Sequence, residues 1–419
     1  MGISNRERLL QLKKAECPDS TFGGMPFPMV LQKAKGSWIW DVDGNQYLDL
    51  CSGFGSLALG HSHASLQDLI VNNYLGPQPR IIHGLGDVYS SEQKIQLVTR
   101  LSALLPGPAR LVGLALSGSQ AIEWALKTAV LHSRRPGIVV FDGSYHGLDL
   151  GALPYTDWPK FKRPFQDLLP KDNVRVLPFG CNKAHLEEAI HNGVPSGPVG
   201  TILVEPIQGR AGVRIAPKGW LQDLREVSST HGLILVADEI FCGLGRAGEW
   251  SLASALPADI VCLGKALGGG MPLSACLGLP EIMKSWPESS GEALHTGTFF
   301  GHPFSCDAAL TTLNTIDALN LVERSRALGE RCRKALEKAL VPLPIAVRGL
   351  GLFLCLEFNR DGAGAKLMDI LLPKGYITLA SGQRGECLTL SPPLNIEEAD
   401  IMKFIDSVRE AAIEVLNEE

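Results

Sequence analysis

At 419 residues, the chain is too long for one ordinary core, and its 45% hydrophobic and 20% charged residues mark it as globular, so it should split into two or three packed units. A net charge of −5 without a long basic run argues against nucleic acid, and no stretch approaches the roughly 20 apolar residues that a membrane span needs. Ten cysteines without C-x-x-C spacing read as reduced thiols; Met1 to Arg6 shows neither an apolar signal core nor a myristoylation pattern, so the expectation is a cytoplasmic protein.

In chain order, Arg6–Lys14 predicts a short amphipathic helix. Residues 37–50 carry two apolar runs around Asp43-Gly44-Asn45, which predicts a hairpin. Ser91–Leu105 and Ala121–His132 have helical spacing, whereas Gly137–Phe141, Gly200–Val204, Leu233–Ala237 and Ile260–Leu263 are continuous apolar runs. Such runs suit strands buried on both faces, hence a parallel sheet covered by helices. Past Pro303, helices are expected at Ser305–Leu319 and Val322–Leu340, then a strand over Val347–Phe358, a strand at Cys387–Leu390 and a helix at Ile396–Leu416. This gives an N-terminal segment over 1–49, a large α/β domain over 50–310 and a smaller α+β part over 311–419, with the first and last forming one lobe.

Lys265 follows the apolar run Ile260–Leu263 and precedes Gly268-Gly269-Gly270. Burial at such a place would favour the neutral amine, which can condense with a carbonyl. Taken alone, the residue reads more readily as a helix-start lysine reaching solvent. Asp238 ends Leu233–Ala237 and would stand at the carboxyl edge of the sheet, where α/β proteins bind ligands. A lysine of this kind with a carboxylate for a pyridine nitrogen meets the demands of pyridoxal phosphate chemistry. Ser117-Gly118-Ser119 opens an alanine-rich helix and could cradle a phosphate, or simply cap it. Tyr145, on the loop after Phe141, could stack on a planar cofactor or pack as an ordinary loop aromatic.

Nine blocks in order resemble the class-III (omega-type) pyridoxal-phosphate aminotransferases of fold type I over nearly the whole chain. They are Asp41–Asp49, Ser117–Lys127, Ser144–Gly147, Val204–Gly209, Ala237–Gly248, Leu263–Leu273, Thr298–Pro303, Val347–Gly351 and Ser391–Leu394. The resemblance implies a large domain with a mostly parallel, seven-stranded-type sheet flanked by helices, plus a smaller α+β lobe. It implies pyridoxal 5'-phosphate as cofactor, a homodimer with shared active sites, and a small-molecule amine donor with a carbonyl acceptor. Lys265 would hold the cofactor covalently and Asp238 would pair with its ring nitrogen. Gly118 and Ser119 would hold the phosphate, with Thr298 reaching it from the other subunit. Tyr145 and Ile240 would cover the two ring faces, Glu205 would lie near the ring hydroxyl, and His146 would support them.

Three departures bear on substrate. Phe241 and Leu390 replace a glutamine and an arginine common in members acting on α-amino acids or 2-oxoglutarate, and Arg210 replaces a glutamate. A carboxylate in a partly buried site needs a guanidinium partner, and Arg210 or Arg384 could supply it. Phe54 matches a pocket aromatic. The resulting expectation is a ping-pong aminotransferase acting on a terminal amine or amino acid through a pyridoxamine form, with an aminomutase of the glutamate-1-semialdehyde type as the alternative. A more distant alternative is a nicotinamide oxidoreductase, since Gly243-Leu-Gly-Arg-Ala-Gly248 fits G-x-G-x-x-G.

Overall fold

The apolar runs become the middle of a seven-stranded sheet in a computed structural model that describes residues 4–21, 29–86, 88–170 and 172–417. From one edge the strands are Leu111–Ala115, Ser274–Gly278, Ile260–Leu263, Ile234–Asp238, Val199–Val204, Gly137–Phe141 and Val174–Leu177. Ser274–Gly278 runs antiparallel to both of its neighbours, and the other pairings are parallel. Strand alternation divides the core in two. Leu235 and Ala237 enter one apolar cluster, with Leu224 and Val227 of helix Trp220–His231. Ile234 and Val236 enter the other, with Ile122 and Ala125 of helix Gly118–Ser133. Burial on both faces is why these strands carry no polar alternation.

Both ends of the chain meet in a second sheet. The predicted hairpin forms from Trp38–Asp41 and Gln46–Asp49, and Tyr376–Ile377 pairs parallel to its second strand. Asp41 closes the turn by accepting from the backbone N–H groups of Asp43 and Asn45, at 3.0 and 2.8 Å. A third sheet orders Ile345–Leu350, Phe353–Phe358, Cys387–Leu390 and Leu379–Ser381, all antiparallel; helices Leu321–Leu340 and Ala363–Leu371 pack on it, and Glu398–Asn417 packs on those two helices.

The expected single strand over Val347–Phe358 is instead a hairpin. Gly351 turns the chain at φ +56°, and a Cβ there would lie 2.4 Å from the Gly248 nitrogen, so only glycine fits. The first helix runs Asn5–Ala15, capped by Ser4 and Glu7 in a capping box.

Gly243–Gly248 follows a strand but forms successive turns, with Gly245 and Gly248 at φ +89° and +81°, and no long helix begins after it. Its role is to deliver Arg246 into the interior. That side chain is 2% exposed and donates to Leu352 O at 3.0 Å, to Pro392 O and to Ser52 Oγ at 3.4 Å. A dinucleotide loop needs its backbone free and a helix dipole behind it. The nicotinamide reading is thereby overturned.

Candidate active site

A cavity of about 440 Å³ opens at the carboxyl ends of the central strands and is lined by ten of the twelve residues singled out in the sequence. Asp238 is the last residue of Ile234–Asp238, 5% exposed. Its two oxygens are fixed separately: Oδ2 lies 2.7 Å from His146 Nδ1, and Oδ1 accepts from the Ile240 N–H at 3.1 Å. His146, 2% exposed, comes from the loop after Gly137–Phe141, and its Nε2 is buried with no hydrogen-bond partner among the described residues. The imidazole thus orients Asp238 directly, a pairing between residues 92 apart that the sequence does not reveal.

Lys265 begins the short turn after Ile260–Leu263, in a left-handed backbone conformation of φ +43°. The protein encloses it while its amine still borders the cavity. Burial lowers its pKa, against the opposing pull of the Asp238 and Glu205 charges. Nζ lies 4.0 Å from the centre of the Phe241 ring. Sequence reasoning registered Phe241 only as a departure and missed it as the floor beneath the lysine.

Glu205 follows Val199–Val204, 6% exposed, and accepts from the backbone N–H groups of Tyr145 and Gly209, at 2.8 and 3.3 Å. Burial pushes its carboxyl up to about 7. Glu239, next to Asp238 in sequence but outside the cavity lining, is buried, accepts from Ser251 Oγ and the Leu252 N–H, and burial raises it to about 7 as well.

Helix Gly118–Ser133 presents its N-terminus to the cavity, with Ser117 capping the Gln120 N–H. Within the described residues, the N–H groups of Gly118 and Ser119 have no acceptor. A Cβ at Gly118 would press on Ile240 at 3.0 Å, so the backbone stays bare there. Tyr145 and Ile240 also line the cavity, as do Phe54, Arg210, Leu379, Ala380 and Ser381. Bare helix N–H groups, a lysine amine, a doubly oriented carboxylate and a stacking aromatic together fit a phosphorylated pyridine aldehyde.

Two expected residues stand elsewhere. Arg384 is exposed, pairs with Asp361 at 2.8 Å and does not line the cavity; the loop turn at Gly382 and Gly385 carries it away. Thr298 lies on the surface, its carbonyl 2.9 Å from His83 Nε2, outside this chain's cavity. The neighbours Leu148 and Asp149, both on the rim, were not anticipated.

The family model for class-III aminotransferases matches residues 21–412. The chain is 32% identical to the acetylornithine aminotransferase of Methanopyrus kandleri, covering 92% of this chain and 94% of that one. It is 30% identical to the 5-aminovalerate aminotransferase of Pseudomonas aeruginosa, over 95% and 96% of the two chains. Among solved structures, the acetylornithine aminotransferase from Elizabethkingia anophelis superposes with a TM-score of 0.80 at 25% identity, over 98% of this chain and all of the other. The ornithine aminotransferase from Toxoplasma gondii shares the fold with a TM-score of 0.86 at 24% identity, over 100% and 97%. The matched family places the chain among the class-III aminotransferases, as a pyridoxal-phosphate-dependent transaminase, and the sheet order agrees.

Proposed function

We propose that the enzyme works in two half-reactions, taking an amino group from an ω-amine or ω-amino acid and passing it to an oxo acid or aldehyde. The observation that carries this reading is the meeting, in one cavity, of the Lys265 amine with an Asp238 carboxylate held on both oxygens. Pyridoxal phosphate, when bound, supplies an electron sink for the carbon that carries the amine. Gly118 and Ser119 would hold its phosphate, Tyr145 and Ile240 its ring faces, and Asp238 its ring nitrogen. Lys265 anchors it and, once substrate has replaced the lysine, Nζ moves a proton between carbon centres. Burial keeps that amine closer to neutral than a surface lysine. His146 and the Ile240 N–H stop Asp238 from rotating, and Phe241 excludes water beneath Nζ.

Relatives named for ornithine and 5-aminovalerate support trying such donors first. Mixing the holoenzyme with 5-aminovalerate and no acceptor should change the cofactor's absorbance stoichiometrically and release the free aldehyde acid. Lys265→Ala should abolish the change. An intramolecularly rearranged amine as the sole product would instead make the enzyme an aminomutase.

The working unit in this reading is a cytoplasmic homodimer. Ile82, Tyr89, Leu294 and Phe299 are exposed apolar side chains, and His83 joins Thr298 at 2.9 Å, which suits a partner's site. Free, mostly buried cysteines suit a reducing compartment. Residues 50–310 would be the cofactor domain, with 1–49 and 311–419 the smaller lobe.

A further inference from the structure

Arg210 borders the cavity in a setting unlike that of the chain's other enclosed arginines. Its guanidinium carbon stands 4.9 Å from the ring centre of Tyr145 and 5.2 Å from those of Trp158 and Phe161. No carboxylate among the described residues pairs with it, and its side chain makes no hydrogen bond there. Nearby acids are otherwise engaged: Glu205 accepts from backbone N–H groups and Asp142 pairs with Arg214 at 3.1 Å. Rings cover a guanidinium by its faces and leave its in-plane N–H donors free at the edge. Lys160 sits over Trp158 and Phe161, at 5.5 and 4.9 Å, and adds a second positive charge to the same aromatic group. The Arg210 carbonyl accepts from the Gly382 N–H at 2.9 Å, which pins this turn beside Leu379–Ser381 on the cavity wall.

We infer that Arg210, gripped by Tyr145, Trp158 and Phe161, binds a carboxylate on the substrate and so selects ω-amino acids over uncharged amines. This deepens the amino-transfer reading and rests on it. The aromatic grip replaces the acid that normally neutralises an enclosed arginine, leaving the charge for the ligand. A single planar fork matches a single planar carboxylate in two parallel hydrogen bonds. The wall formed by Leu379 and Ala380 offers apolar surface to the methylenes between amine and acid.

The test uses the holoenzyme, Arg210→Met and Arg210→Lys, with two readouts. Pentanoate, which has no amine and cannot react, is titrated calorimetrically. It should bind the parent enzyme and bind Arg210→Met on the order of 10- to 100-fold more weakly, the range for charge-assisted hydrogen bonds. Arg210→Lys should fall between the two. In the second readout, kcat/KM for 5-aminovalerate should drop by a similar factor in Arg210→Met while that for pentylamine stays within about twofold. Equal pentanoate affinity in parent and Arg210→Met, or none in the parent, overturns the inference. So does an equal loss with both donors, which would make Arg210 a support for Tyr145. A parent enzyme that turns over neither donor defeats the amino-transfer reading, and pentanoate still decides Arg210.

Discussion

Arg246 is buried and Arg210 half-buried at the cavity edge, and the two guanidinium charges are accommodated in opposite ways. Arg246 hands its terminal nitrogens to Leu352, Pro392 and Ser52, which come from three distant parts of the chain. Arg210 makes no such bonds and lies against three aromatic faces. The first arrangement spends the donors on holding the fold together. The second holds the charge in place while keeping its donors for something else. An arginine's surroundings therefore tell more about its role than its depth does: hydrogen-bonded acceptors indicate architecture, and stacked rings with bare donors indicate recognition.

The contrast breaks most visibly in stability. Arg246→Met strands the Leu352 and Pro392 carbonyls, and the cofactor-free protein should lose about 3–5 kcal/mol, read as a fall in the urea midpoint. If Arg246→Met is no less stable than Arg210→Met, the distinction collapses. The acids sharpen it through pH. Glu239 and Glu205 are both raised to about 7 by burial, so the folded state holds their protons where the unfolded chain releases them. Their contribution is complete below about 4.5 and is lost as pH rises through 7. Glu239→Gln can accept from Leu252 and donate to Ser251, so it should fold and flatten this decline by on the order of 3 kcal/mol. An unchanged slope in urea melts of the cofactor-free variant between pH 4.5 and 7.5 would contradict the role of burial. His146→Ala frees one Asp238 oxygen and should weaken cofactor binding by about 10-fold, measured by dialysis against absorbance. Smallest of all, Arg210→Met keeps an apolar stem against the rings and should shift the urea midpoint by less than about 1 kcal/mol.

The middle of the central sheet was legible because strands buried on both faces are mostly apolar, whereas Leu111–Ala115, Val174–Leu177 and Ser274–Gly278 were not; Ile260–Leu263 appears in the structure with the bounds its apolar run implies. The hairpin within 345–358 was not, because its turn residues Gly351 and Leu352 are as apolar as the strands they join. Lys265 and Asp238 drew notice by residue type and position, and the structure brings both to one cavity. The site was unreadable where long-range packing assigns the partner. His146 faces Asp238 because the loop after Gly137–Phe141 reaches past Val199–Val204 to the end of Ile234–Asp238, and Arg384 leaves the cavity because Asp361 and two glycine turns draw it outward. Gly243–Gly248 misled for the same reason, since three of its arginine's acceptors lie more than 100 residues away.

The reversed strand Ser274–Gly278 has a kinetic consequence. Because it returns beside Ile260–Leu263, with Leu263 opposite Ala275, the turn that bears Lys265 is moored to the sheet at both ends. Gly269 is further wedged against helix Pro303–Ala318, where a Cβ would meet Thr312 Oγ1 at 2.2 Å. The lysine is an arm swinging from a fixed post. Where its amine can reach is then decided by torsions about its own methylene bonds rather than by loops that open and close.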